Sequence, residues 1–423
     1  MANKLLEKYS KKIQLAESVY AKKHNGEKMD SIRKITVARC LENVNAFLNE
    51  AFDSTMGTQR AAMGDYKKFC IALTNVGLPN LIAFDLVAVS PMTSMTGNVS
   101  YVEYVKGTTK GESTAGDMTA NIWALGDVDE NYTGQAVVET LDEAITNVSS
   151  LAFGPVTKLW KQTDGEWVEV AIGEGGVITS TSGKVKYFYD NQIIPQETLP
   201  TLKAVLKNIG LEAKARRIAV FYSQMAAFQA KTDYGFDLAD GLAEQAVGQL
   251  SYEIDTEVVN MLYNAAEASA VTAFSKTQPV GVNLADHYAA FAAKLEEYKM
   301  ELYMRTKKFQ PNFMVVAPDL MPLIQFVPGF QAASVGEVIG PYKAGTIANM
   351  TVFVTPNIPA GQFFLGVNQG AMQASAGVYA PYMPVVPTQL LGFADGGMSQ
   401  GWSTMYDAKI LNADLLTKGE VVA

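Results

Sequence analysis

Apolar residues recur at helical spacing in several stretches of the chain. Leu6, Tyr9, Ile13, Ala16 and Tyr20 follow a 3-4-3-4 step, and Val37, Leu41, Val44 and Leu48 a 4-3-4 step. Such stripes predict amphipathic helices over 4–23 and 31–51, with His24-Asn25-Gly26 as the break between them. From Asn98 the period changes to two. Val99, Tyr101, Glu103 and Val105 alternate with Ser100, Val102, Tyr104 and Lys106, and a charged tip follows at Thr108-Thr109-Lys110-Gly111-Glu112. This pattern predicts a long exposed hairpin. Between 135 and 190 the pattern predicts a small β-rich inserted subdomain. It has a short helix over Val137 to Val148, strands over Lys158 to Ile172 turning at Asp164-Gly165, and a strand over Val185 to Tyr189.

Two longer helices come next. Asp237 to Ala268 places Ala243, Val247, Leu250, Ile254, Val258, Met261 and Ala265 on one stripe. At about 1.5 Å per residue it spans roughly 45 Å. Asp286 is the expected N-cap of the next helix, whose stripe is Tyr288, Phe291, Leu295, Tyr298 and Leu302. After Pro311 the texture is strand, helix, strand: Asn312 to Ala317, Asp319 to Phe326 and Met350 to Thr355. Prolines 381, 384 and 387 punctuate the stretch that follows, before strand-like residues from Trp402 to Leu411. Strands mixed with helices without strict alternation predict an α+β fold.

Composition adds a hint about surroundings. Of 423 residues 48% are apolar and only 18% charged, and the cores of protein interfaces are similarly poor in charge. The net charge of −9 is uneven: residues 1–40 sum to +6 and the remainder to −15. A basic arm on an acidic body points to different partners for the two parts. Cys40 and Cys70 cannot define a disulfide framework, so a reducing compartment is expected. No apolar h-region follows the first lysines, and no run reaches the roughly 18 apolar residues of a membrane span, so no membrane partner is expected.

Catalytic chemistry finds little to stand on. The only histidines are His24 and His287, and neither has cysteines or acids at ligand spacing. Gly173-Glu174-Gly175-Gly176 lacks the lysine and the strand–helix context of a phosphate loop. Asp127-Val128-Asp129-Glu130-Asn131 imitates the start of a calcium loop, but Tyr132 stands where the turn glycine belongs and Val138 where a bidentate glutamate belongs. Glu296 and Glu297 fit a solvated helix face. No catalytic, cofactor-binding or metal-ligating residue is assigned, and a carboxylate hydrolase is the reading from a different class that this pattern disfavours.

The stretch PNLIAFDLVAVSPMTSMTGNV, Pro79 to Val99, carries a resemblance. It resembles the segment before the extended loop in major capsid proteins of T-even-type tailed bacteriophages, matching at Pro79, Asn80, Asp85, Pro91, Met92 and Gly97. Ser90 stands where that family often has Gln, and Met95 where it has Pro. Asn131-Tyr132-Thr133-Gly134-Gln135 looks like its Ser/Thr-Gly-Gln turn. Glu212-Ala213-Lys214-Ala215-Arg216 resembles its return strand, and Gly377-Val378-Tyr379-Ala380-Pro381-Tyr382 its Gly-x-Tyr-Tyr-Ala-Pro-Tyr motif.

The resemblance implies the Hong-Kong-97-like α+β capsid fold. It would comprise a helical N-terminal arm (1–70), a peripheral domain (71–97, 226–284, 391–423) with a long spine helix, an extended loop (98–135, 200–225) and an axial domain (285–390). An inserted β-rich subdomain would fill 136–199. The implied function is a virion structural protein, assembled in the bacterial host cytoplasm, whose hexamers and pentamers close an icosahedral shell. Implied partners are a scaffolding core, a portal, vertex or decoration proteins and packaged double-stranded DNA. Maturation proteases of the family favour an aliphatic residue, any residue, Glu, then a small residue. Leu48-Asn49-Glu50-Ala51 fits, with cleavage between Glu50 and Ala51, but Leu141-Asp142-Glu143-Ala144 fits too. An encapsulin-type nanocompartment shell is the alternative reading; the run from Pro79 to Val99 disfavours it.

Overall fold

The two N-terminal stripes fold against each other. In the computed structural model, helices α1 (Ala2–Lys8) and α2 (Ser10–Lys23) pack on α3 (Ser31–Asp53), and Tyr9 between them, Ile13, Ala16 and Tyr20 of α2 and Val37 and Leu41 of α3 are buried. The model describes residues 2–23, 26–53, 81–109, 113–133, 136–151, 155–163, 165–189, 200–235, 238–333, 340–388 and 391–422. Pro79, Asn80, Gly134, His24, Cys70 and the tip 110–112 lie outside these. The chain divides into two compact units, residues 1–99 with 209–423, and residues 100–208. After α3 the larger unit continues with the short helix α4 (Ala83–Leu86) and strand β1 (Ala88–Val89).

The smaller unit holds two antiparallel sheets. In the first, β2 (Thr96–Lys106) lies between β3 (Met118–Ala120) and β8 (Leu202–Glu212). The expected hairpin thus has a late partner, recruited about a hundred residues downstream. Helix α5 (Glu130–Thr133) leads into the second sheet, whose order is β4-β7-β5-β6. Its strands are β4 (Ala136–Asn147), β5 (Val156–Thr163), β6 (Glu166–Val170) and β7 (Val177–Tyr189). Val137, Leu159, Val185, Tyr187 and Tyr189 form its core. The helix predicted over Val137 to Val148 is therefore strand β4. Residues four apart share a face in a strand as well as in a helix, and Val137, Val138, Thr140, Ile145 and Thr146 are β-branched, which favours the strand.

The larger unit resumes with β9 (Lys214–Ser223), α6 (Gln224–Tyr234) and the 28-residue helix α7 (Leu238–Ala265). β9, expected in the return limb of the extended loop to residue 225, pairs instead for ten residues with β19 (Gly397–Ile410). Short strands β10 (Glu267–Ala268) and β11 (Phe274–Ser275) precede helices α8 (Leu284–Ala289) and α9 (Phe291–Thr306). Asn283, not Asp286, is the N-cap; Asp286 sits inside the first turn, where a carboxylate complements the helix dipole.

Two sheets follow from the remaining strands: β12 (Phe313–Val316), β13 (Gln331–Ala332), β14 (Tyr342–Ile347), β15 (Met350–Val354), β16 (Gln362–Gly366), β17 (Gly377–Pro387), β18 (Leu391–Gly392), β19 and β20 (Leu416–Val422). One sheet has the order β10-β20-β16-β12-β15-β14-β13, with β11 also on β20; the other has β1-β17-β19-β18, with β9 also on β19. A further helix, α10 (Met321–Gln325), follows β12. Strands from either side of residue 390, expected in separate domains, are thus interleaved, β17 with β19 and β16 with β20.

Packing in the first sheet is dense. All four residues of β12 are buried, and Phe291, Leu295 and Tyr298 of α9 lie over Phe363 and Leu365 of β16. Gly366 faces Phe313 across the β12–β16 ladder, where a Cβ would collide with the ring. The prolines of β17 fit because β1 covers only Val378 and Tyr379 on one side. Beyond them, β-bulges at Pro381–Met383 and Met383–Val386 absorb the missing N–H groups. Among the described residues no helix is long and apolar enough to cross a membrane.

Candidate functional site

The two stretches most distinctive in the sequence, nearly 300 residues apart, meet as neighbouring strands. β1 runs parallel to the start of β17, with Ala88 opposite Val378 and Val89 opposite Tyr379. The ladder continues past β1: Ser90 N donates to the Tyr379 carbonyl and Met92 N to the Pro381 carbonyl, both at 3.0 Å. Pro91, between them, occupies the alternate position, which needs no N–H toward β17. Gly97 lies against the Met92 side chain, whose Cε is 3.4 Å from the position of a Cβ there. Side chains then clamp this junction from three directions. Asn43 of α3 donates to the carbonyls of Met92 (2.9 Å) and Tyr382 (2.7 Å). Asp255 of α7 accepts from Ala83 N at 3.0 Å, and Ser375 Oγ accepts from Ala88 N at 2.9 Å.

Asp85 pairs with Arg33 of α3 at 2.8 Å, and that guanidinium lies over the rings of Tyr20 and Phe84. Phe84 in turn meets Tyr379 edge-on, and Tyr379 is next to Tyr406. Tyr379 is fully buried, and burial pushes its hydroxyl well above the usual range. Cys40 is buried too, and burial raises its thiol to about 12, so it stays a neutral packing group. Arg216 of β9 pairs with Glu257 of α7, which also accepts from the Tyr406 hydroxyl. Burial, then that bond to Glu257, pushes Tyr406 upward. These three line a shallow open groove of about 500 Å³ with Tyr252, Glu253 and Asn260. It holds two acids, a guanidinium and two phenols, and within it the Arg216–Glu257–Tyr406 contacts brace β9 and β19 against α7.

The other chemically suggestive residues are engaged locally. His287 stacks on Phe274 with Nε2 at 2.9 Å from the Ser275 carbonyl. Glu296 and Glu297 pair with Lys299 and Lys294 one turn away. In the calcium-loop imitation, Asp129 accepts from Ser113, and the buried Tyr132 donates to the Thr201 carbonyl. Gly173–Gly176 leads into strand β7 rather than into a helix. Among the described residues no three His, Cys, Asp or Glu side chains gather as metal ligands.

A family model described as "Major capsid protein Gp23" matches residues 63–412, more than four fifths of the chain. The chain belongs to the Gp23 major capsid protein family. Among its relatives, the major capsid protein of Vibrio phage KVP40 is 23% identical over 82% of this chain and 78% of its own. That of Enterobacteria phage T4 is 21% identical over 73% and 68% respectively. A solved structure from Microbacterium phage Oxtober96 overlays distantly, with a TM-score of 0.41 and 11% identity over 80% of this chain and 90% of that one. This Gp23-family chain is thus a shell-forming capsid protein of a tailed phage and a component of the virion, and the family match takes precedence over the encapsulin alternative. Its fold class is the expected α+β one.

Of the residues that carried the resemblance, the structure brings Asp85, Pro91, Met92, Gly97, Tyr379, Pro381 and Tyr382 to one junction; Arg216 reaches its edge through Tyr406. Glu50 and Ala51 lie in the last turn of α3. Sequence reasoning missed Asn43, Asp255 and Ser375. Asp255 had a signal, since it is a charge beside the apolar stripe of α7, where an acid is rarely buried without a partner. The arm docks on its own unit, where Val44 joins Met383 and Val386.

Proposed function

We propose that this chain is a non-enzymatic building block whose hexamers and pentamers close an icosahedral shell around double-stranded DNA. The observation that carries the reading is strand β8. Its residues 202–208 are all exposed, including Leu202 (61%) and Leu206 (65%), and among the described residues it has a strand on one side only. Such a strand is an aggregation hazard unless a partner covers it; in a shell the partner is a neighbouring subunit. The acidic body supports an inner face that holds DNA without binding it, because anionic walls repel phosphates.

In this reading residues 100–208 serve as extended loop and insertion, α7 as the spine, and the sheet around β12 as the axial part. A scaffolding core, a portal and vertex or decoration proteins complete the assembly, which forms in the host cytoplasm. Cleavage between Glu50 and Ala51 would remove α1, α2 and most of α3 and would first require the last turn of α3 to open. Sedimentation velocity of the purified chain, with negative-stain imaging of fast fractions, tests the assembly reading. Hexamers, tubes or closed shells are expected; a monomer that stays inert with its scaffold would contradict it.

A further inference from the structure

The edge strands of the 100–208 unit carry opposite charge. Among the described residues β8 is outermost in its sheet, and its exposed residues 202–208 include Lys203 and Lys207 but no acid. β4, again among the described residues, is outermost in the four-stranded sheet and carries Glu139, Asp142 and Glu143 but no base. The surrounding chain amplifies the contrast. Residues 111–157 contain eight acids and no Lys or Arg, whereas 201–223 contain five basic residues and one acid. In β4 the register against β7 shifts between Leu141 and Ile145, a bulge that leaves Asp142, Glu143 and Ala144 exposed.

Unpaired edges invite strand addition, and charge on an edge discourages pairing with its own kind. Here the same charges that keep β8 from β8 and β4 from β4 draw β8 toward β4. We infer that β8 of one subunit docks along the β4 edge of a second copy, its lysines against the exposed Asp142 and Glu143. Backbone pairing is available on the β4 side over Ala136–Leu141, before the bulge. Each copy presents one basic and one acidic edge, so the contact is head-to-tail and passes from copy to copy until a ring closes. The exposed Leu202, Val205 and Leu206 beside the lysines, on an edge without a further strand among the described residues, suit a polypeptide better than a phosphate backbone. The inference rests on the self-assembly reading above.

A charge swap tests it. The variants K203E/K207E and D142K/E143K are compared with wild type by sedimentation velocity, alone and mixed one to one, with thermal melting as the folding control. Lys207 pairs with Glu103 in the subunit, so K203E alone replaces the double variant should its melting temperature fall. Each variant alone is expected to lose assembly by about tenfold or more, and the mixture to recover it, because every β8–β4 contact between unlike variants is again attractive. Either variant assembling as wild type does, or a mixture no better than its parts, would overturn the inference. So would a lysine variant that assembles normally but no longer retains DNA, which would assign the β8 edge to nucleic acid. A wild type that fails to assemble would bring down the self-assembly reading itself, and this inference with it.

Discussion

Strands β12 and β8 are both apolar-rich, yet the chain treats them oppositely. β12 has a strand on either side and a helix over it, and every residue from Phe313 to Val316 is buried. Among the described residues β8 has one neighbouring strand, and leucines 202 and 206 face solvent. Burying such a side chain contributes about 1.5–3 kcal/mol. In β12 that stabilisation is collected when the subunit folds; in β8 it is left for association. A shell protein needs both kinds of strand: one set to hold the building block together before assembly, another to give assembly its driving force.

Substitutions should separate the two. Phe363→Ala, which empties the space beneath Phe291 and Tyr298, is expected to cost about 3–5 kcal/mol in denaturant unfolding. Asn43→Ala removes both bonds to the β1–β17 junction and should cost about 1–3 kcal/mol by the same measurement. Leu206→Ser should leave subunit stability within about 0.5 kcal/mol while reducing the assembled fraction in sedimentation. Equal destabilisation by Leu206→Ser and Phe363→Ala would erase the distinction between the strands.

The smallest effect concerns pH. Hydrogen bonds from Tyr9 and then Lys8 hold the Glu42 carboxyl below its usual range. A carboxylate with a depressed folded value stabilises above its unfolded value, about 4.3, and that contribution is lost as pH falls through the folded value. Acidification below about pH 4 should therefore loosen α1 from α3, read as faster amide exchange in α1, and Glu42→Gln should remove most of this pH dependence.

Much of this architecture was legible in the sequence. The stripes of α2, α3 and α9 named their buried faces, and Phe291, Leu295, Tyr298 and Leu302 are all buried. The run after Pro79 marked its place because its short-range signals are unusual. What escaped was long-range or ambiguous in period. Apolar residues at 137, 141 and 145 satisfy helix and strand alike, so β4 was read as a helix. Nothing local in Asn43 or Ser375 announces that it binds carbonyls or amides from distant strands. The docking of the arm depends on β17, more than 300 residues away.

Hydrogen–deuterium exchange of the unassembled subunit and of assembled particles measures the division between folding and assembly strands most directly. In β8 and in Ala136–Leu141, the amides that point away from β2 and β7 should exchange quickly in the subunit and slow markedly in the particle. Those of β12, β15 and β16 should be slow in both. Fast exchange of β8 in closed particles would contradict the view that this strand is kept for a neighbouring copy.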